Sequence, residues 1–272
     1  MTLLRAPCVR LSLSLSLTPS MDSFYTLALP FLFLFILCSP YLSSSQLSPS
    51  FYALSCPNVE LLVRDSVRSA SNADPSLLGK LLRLLFHDCI VEFLPVSLQG
   101  CDASVLVAGN GTERSDPANL SLGGFEAVDA AKKLVDLFCP GIVSCADVLV
   151  LAARDAVAIA GGPSVEVPLG RRDGRVSLAS NVRPNMVDTS FSLDEMAHLF
   201  SAKGLSMEDL IALSGAHTIG SAHCSAFSER FKEDANGNLV PIDGSIEENY
   251  AMELIKSVRL MQARRPQLRM IQ

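Results

Sequence analysis

The chain contains no tryptophan, and 13 phenylalanines and 4 tyrosines are its whole aromatic complement in 272 residues. It therefore lacks the platform on which a single-stranded nucleic acid would stack. Runs of lysine and arginine are missing too, and 28 acidic against 22 basic residues give a net charge of −6, a poor match for a polyphosphate backbone. The apolar run Leu27–Cys38 is about a dozen residues, short of the roughly 20 that cross a bilayer. Close Cys and His pairs of zinc-site spacing are missing, as are a glycine-rich phosphate cradle, an internal repeat and a long linker.

What is present is a chain that is 49% hydrophobic, long enough for one large domain or two small ones with a real core. Leu27–Cys38 leads into Ser43, Ser44 and Ser45, the pattern of a secretory signal over residues 1–45, with Gln46 as the first mature residue. Met21 makes a more ordinary start than Met1, and residues 1–20, with their LSLSLSL repeat, read as a gene-model extension. A membrane anchor is the alternative, and the block lacks its length. Secretion permits disulfides. Without Cys8 and Cys38, the mature chain keeps Cys56, Cys89, Cys101, Cys139, Cys145 and Cys224, and spacing alone leaves 15 pairings open.

Apolar periodicity predicts mostly helix. Val59–Ser71 is the first; Asp74-Pro75-Ser76 caps a second over the following apolar run. Gly109–Gly124 is a polar, turn-rich loop. Phe125–Leu137 and Ser144–Ala160 are two more helices, the latter apolar nearly all round and hence buried and central, stopped at Gly161-Gly162-Pro163. VEVPLGRRDG is a short extended segment and turn in which Arg171 and Arg172 suit a structural ion pair. Asn181–Met186 is a loop. Ser192–Lys203 is a helix opened by a capping box with Glu195 and ended by Gly204; Ser206 and Asp209 cap the next. Strand signals are few and short.

The stretch Leu81–Ser104, LLRLLFHDCIVEFLPVSLQGCDAS, organises the chemistry. Arg83, Phe86 and His87 fall at i, i+3 and i+4 and so share a helix face. A histidine kept from water stays neutral and can accept a proton, while arginine remains charged, so together they can take a proton and stabilise an anion at one spot. Asp88 points about a quarter-turn away and, with Asp102 and Ser104, offers hard oxygens of the kind calcium prefers.

FHDC followed by GCDAS resembles the distal-haem helix and calcium loop of the secreted plant (class III) haem peroxidases. VPLGRRD and GLSMEDLIALSGAHTIG match the same family in order, so the resemblance runs from about Gln46 to Ser257. It implies a mainly α haem-peroxidase helical fold whose C-terminal, proximal part is incomplete. The implied division is a targeting region at 1–45, a peroxidase domain at 46–257 and a non-family tail at 258–272.

The resemblance also implies roles. His87 is the proton acceptor, Arg83 the charge stabiliser, Asn119 the partner that orients His87, and Phe86 part of the same wall. His217 is the axial ligand of a haem b iron, and Pro184 lines the aromatic-substrate entrance. Asp88, Val91, Gly100, Asp102, Ser104 and Glu113 serve a first calcium, and Thr218 a second. The implied disulfides are Cys56–Cys139 and Cys89–Cys101. Of two glycosylation sequons, Asn110-Gly111-Thr112 is expected to be used and Asn119-Leu120-Ser121 not, because a buried amide cannot carry a glycan. His198 and His223 read as surface residues. The implied activity is reduction of hydrogen peroxide with one-electron oxidation of small phenolic donors, by a secreted monomer of the cell wall or vacuole that binds neither nucleic acid nor, stably, a membrane.

Two departures stand out. Between Val91 and Gly100 the family has a single residue, whereas this chain carries Glu92–Gln99. A longer loop adds little closure entropy to the Cys89–Cys101 ring, but calcium needs its oxygens at about 2.4 Å, so the insertion puts that geometry in question. After Ser257, where the family continues with Cys-Pro, the chain runs on as VRLMQARRPQLRMIQ. The expected partners of Cys145 and Cys224, and a carboxylate to orient His217, have no counterpart there. Both departures resemble splice-site readings, which sequencing the transcript across the two joints tests. The rival reading is a secreted, haem-free remnant; an intracellular peroxidase of the ascorbate type is disfavoured by the signal and the cysteines.

Overall fold

The structure is a computed structural model that describes residues 47–91, 100–188, 190–222 and 227–264. The signal region, Glu92–Gln99, His223, Cys224 and the end of the tail lie outside the described residues.

Helices α1 (Val59–Ala73), α2 (Leu77–Ile90), α3 (Phe125–Phe138) and α4 (Cys145–Ile159) build the main core. Helix α4 is the expected central one: Val148, Leu149, Leu151, Ala152 and Ala156 have no exposed surface. Because most of its side chains are small or branched, it accepts α1, α2 and α3 around it. Helix α1 buries Val59, Val63 and Val67, the four-residue stripe that its sequence shows. Cys56–Cys139 joins the entry to α1 with the end of α3, and Cys89–Cys101 joins the end of α2 to the loop after the insertion. The two pairings implied by the family resemblance are both formed.

Asp147 ties the N-terminal loop to this core. A carboxylate buried in a mostly apolar helix must have partners. It has four donors: Tyr52 Oη at 2.8 Å, the backbone N–H groups of Gly170 and Arg171, and Arg171 Nη1. Arg171 is thus the structural ion-pair residue expected of VPLGRRD. Burial, followed by the hydrogen bond to Asp147, pushes the Tyr52 hydroxyl up to about 12.

The second half is looser. Asn181–Met186, expected as a loop, is a 3-10 turn at Ala179–Asn181 leading into a four-residue helix, α5 (Val182–Asn185). Helices α6 (Leu193–Ala202) and α7 (Met207–Gly215) each open on a complete capping box, Ser192 with Glu195 and Ser206 with Asp209. A two-stranded antiparallel hairpin, β1 (Phe231–Glu233) and β2 (Leu239–Pro241), follows. Helix α8 (Glu248–Arg264) packs Ala251 and Ile255 on Phe231 in a small separate core and runs unbroken past Ser257. Among the described residues no helix is long and apolar enough to cross a membrane.

Candidate active site

Helix α2 carries the first half of the site. Leu77, Leu81, Leu84 and Asp88 form its buried stripe, and His87 lies beside it at 6% exposure. His87 Nδ1 is 2.7 Å from Asn119 Oδ1, and Asn119 Nδ2 donates to the Glu113 carbonyl at 2.8 Å. The second bond sets the amide's orientation, so its oxygen faces the imidazole. Nδ1 therefore carries the hydrogen and Nε2 the lone pair. Burial, opposed by the Asn119 bond and reinforced by the Arg83 charge, lowers His87 to about 4, so the ring is neutral and basic at Nε2 across ordinary pH.

Phe86 stands edge-on to His87, ring centroids 5.8 Å apart. It packs with Ile90, Val91, Val182, Met186 and Leu205, which seats α5, and with it Pro184, against the end of α2. Arg83 shares the face but not the depth. It is exposed, and Nη1 donates to the Ser121 carbonyl at 3.4 Å. The guanidinium is thus hung from the loop that also positions Asn119.

Asp88 does serve a different place, as its quarter-turn offset predicts. Its oxygens accept the backbone N–H groups of Ala103, at 2.9 Å, and Val105, at 3.3 Å. Burial raises its pKa to about 7, against those two amides and with the help of the Asp102 and Asp173 charges. Ser104 Oγ donates to Glu113 Oε2 at 3.1 Å, while Asp102 Oδ1 accepts Ser104 N–H. Asp102 Oδ2 lies over Gly174, whose missing Cβ leaves it room. Asp88, Asp102, Ser104 and Glu113 are therefore brought together, with Val91 and Gly100 at the edges of the undescribed insertion. Both Asp88 oxygens, Asp102 Oδ1 and Glu113 Oε2 accept from the protein's own donors, and among the described residues no group of three or more His, Cys, Asp or Glu side chains is placed to hold a metal ion. Thr218, the residue implied for a second calcium, is exposed and donates to the Gly215 carbonyl.

The second half of the site follows α7. His217 lies in the 3-10 turn Ala216–Thr218, exposed, with Nδ1 3.3 Å from the Leu213 carbonyl. A carbonyl at Nδ1 places the hydrogen there and leaves Nε2 open as a metal donor. Small residues, Ser214, Gly215 and Ala216, surround it, and Ile211 and Leu213 on α7 are exposed, 66% and 41%. An open imidazole nitrogen is the donor type that a haem iron takes, and the small residues beside it leave room for a flat group to approach. The two halves meet where backbones touch: a Cβ on Gly79 of α2 would stand 2.7 Å from Gly220 Cα, so only glycines allow the His217 segment to cross one turn before Arg83.

His198 is exposed, as expected. Sequence reasoning missed Lys203 and Asn185, whose side chains meet at 2.7 Å. It also missed Asp116, which Arg183 approaches at 3.7 Å. No motif points to these contacts; the signals were a lysine inside an apolar pattern and an acid in the Asn119 loop.

The structure thus holds a buried neutral histidine on an amide partner and, on another segment, an exposed imidazole, and comparison with known sequences gives the family. The family described as Peroxidase matches residues 63–267, and the chain belongs to it. It is 59% identical to Peroxidase 18 of Arabidopsis thaliana over 85% of this chain and 67% of that one. It is 57% identical to Peroxidase 46 of the same plant over 82% of this chain and 66% of the relative. With Peroxidase 5 of Vitis vinifera the identity is 45%, over 72% and 59%. The chain spans about two thirds of the length of the first two relatives.

Proposed function

We propose that the chain reduces hydrogen peroxide at a haem b held through His217 and draws the electrons from small phenolic donors. The observation that carries this reading is the pair His87 and Asn119, buried and 2.7 Å apart, which leaves His87 Nε2 as a base. When bound, haem supplies the redox chemistry of oxygen–oxygen cleavage. The protein's part is proton handling. His87 Nε2 accepts a proton from peroxide and delivers it to the departing oxygen, which leaves as water. Arg83 offers fixed positive charge to the oxygen that becomes negative. Asn119 keeps the proton on Nδ1, so that Nε2 does not drift into the wrong tautomer. Phe86 and α5, with Pro184, wall the approach used by an aromatic donor.

The working unit in this reading is residues 46–257, released after a signal at 1–45 into the cell wall or vacuole and active as a monomer. The test is an absorption spectrum of the purified chain after haem addition, followed by peroxide-dependent oxidation of guaiacol. A Soret band with turnover that falls at least 100-fold in His87→Leu is the expected result. Turnover unchanged in that variant overturns the assignment of His87.

A second reading is a secreted member of the family that takes up no haem. It rests on His217, which is exposed and has a backbone carbonyl, not a carboxylate, as its partner. Absence of any Soret band after haem addition selects it.

A further inference from the structure

Helix α5 has four residues, including Pro184, and a helix that short has no stability of its own. What holds it decides the shape of the site beside Phe86. One tether is apolar: Val182 and Met186 are buried with Phe86, Ile90, Val91, Ala118 and Leu205. A second is Arg183, 59% exposed and 3.7 and 3.6 Å from Asp116 and Asp188, a surface pairing of small net effect. The third is Lys203. It stands at the C-cap of α6, only 4% exposed, and its Nζ donates to Asn185 Oδ1 at 2.7 Å. The carbonyl end of α6 favours the ammonium there. Asn185 passes the contact on, because its Nδ2 donates to the Asn181 carbonyl at 2.8 Å and so closes the turn that starts α5.

We propose that Lys203 is a positioning residue for donor binding: by holding Asn185 it fixes α5 against Phe86, and so sets how tightly an aromatic donor is held without acting on the proton transfer at His87. The proposal rests on the peroxidase reading for its substrate. Its mechanical part, that Lys203 fixes α5, stands on the contacts alone.

Lys203→Met keeps most of the buried stem and removes the ammonium; Asn185→Leu removes the same bond from the other side. In steady-state assays of the full chain with guaiacol and peroxide, each variant raises the guaiacol KM roughly tenfold and leaves the peroxide KM unchanged. The double variant is no worse than either single one, because one interaction is lost in all three. By hydrogen exchange, the Met186 amide, which donates to the Val182 carbonyl, exchanges faster in both variants while the α1 and α4 amides keep their rates. Donor and peroxide constants that move together, an unchanged guaiacol KM, or an unchanged Met186 exchange rate each overturn the proposal. If the unaltered chain shows no turnover, the peroxidase reading has failed and the exchange rates alone decide whether Lys203 fixes α5.

Discussion

Asn119 and His87, 32 positions apart in sequence, share a buried hydrogen bond of 2.7 Å whose direction is set from behind by the Glu113 carbonyl. The amide thus has two duties, and they can be separated. Asn119→Leu removes both bonds and is expected to lower peroxide kcat/KM by about 10- to 100-fold and stability by about 1–3 kcal/mol. Asn119→Asp keeps an acceptor for His87 Nδ1 but loses the donor to Glu113. It is expected to retain more of the peroxide rate than Asn119→Leu while losing similar stability. Stopped-flow mixing with peroxide and urea melts of both variants check this; equal peroxide rates in all three proteins would show that Asn119 only supports the loop.

Tyr52 makes the chain sensitive to alkali. Its hydroxyl donates to Asp147 and titrates at about 12 in the folded chain, raised from 10.0 by burial and then by Asp147. Between those values the unfolded chain has lost the proton and the folded chain retains it. Stability therefore falls as pH rises through this window, by about 2–3 kcal/mol in total, and is unaffected by this group below pH 10. Tyr52→Phe is expected to be about 1–2 kcal/mol less stable at pH 7, since Asp147 keeps three other donors, and to lack the alkaline slope. Urea melts at pH 7, 10 and 11.5 measure both; a slope that persists in the variant would assign it to another group.

Much of this was legible because local rules and tertiary structure agree. Val59, Val63 and Val67 announce the buried face of α1, and the capping boxes at Ser192 and Ser206 mark the starts of α6 and α7 within a residue. The resemblance put His87 beside Asn119, and the structure joins the two by a buried hydrogen bond. What failed to show were features decided by distant contacts. Proline and asparagine in Asn181–Met186 signal a loop, yet Phe86, Leu205 and Lys203 hold α5 as a helix turn. Asp147 reads as an anomaly in an apolar helix until Tyr52, 95 positions away, supplies its donor. Helical spacing put Arg83 with His87 but could not give the difference in their depth, which depends on where the Ser121 carbonyl lies.

Gly79 sets two small effects against each other. In the first turn of α2, where Gly79 is the third residue, glycine is less favourable than alanine by up to about 1 kcal/mol, so Gly79→Ala would stabilise an isolated helix. Here the new Cβ would meet Gly220 Cα at 2.7 Å, backbone against backbone, and overpacking of that kind costs about 1–3 kcal/mol. The second effect is expected to prevail. Gly79→Ala should be less stable by up to about 2 kcal/mol, and Gly79→Val more so. Because the strain falls on the segment following His217, haem affinity should drop in the same order, read by titrating the Soret band. A stabilised Gly79→Ala with unaltered haem titration would mean that the Gly220 backbone yields freely.

The two glycosylation sequons test whether the loop that orients His87 is formed when the chain is made. Asn110 is exposed, in the turn where Thr112 Oγ1 donates to the Gly109 carbonyl. Asn119 is 2% exposed, with both ends of its amide engaged. A glycan on Asn119 would replace one of the two Nδ2 hydrogens, crowd the bond to the Glu113 carbonyl, and have to leave through packed protein. Expressed through the secretory pathway of a plant or yeast host, the chain is expected to carry a glycan at Asn110 and none at Asn119. Asn110→Gln should then run as a single species that enzymatic deglycosylation does not shift, whereas a remaining shift would place sugar on Asn119. Glycosylation precedes complete folding, so a sugar-free Asn119 also requires the loop from Glu113 to Ser121 to close early. Slowing that closure with Ser104→Ala, which removes the hydroxyl that donates to Glu113, should increase occupancy at Asn119 and lower the peroxide rate in the same proportion.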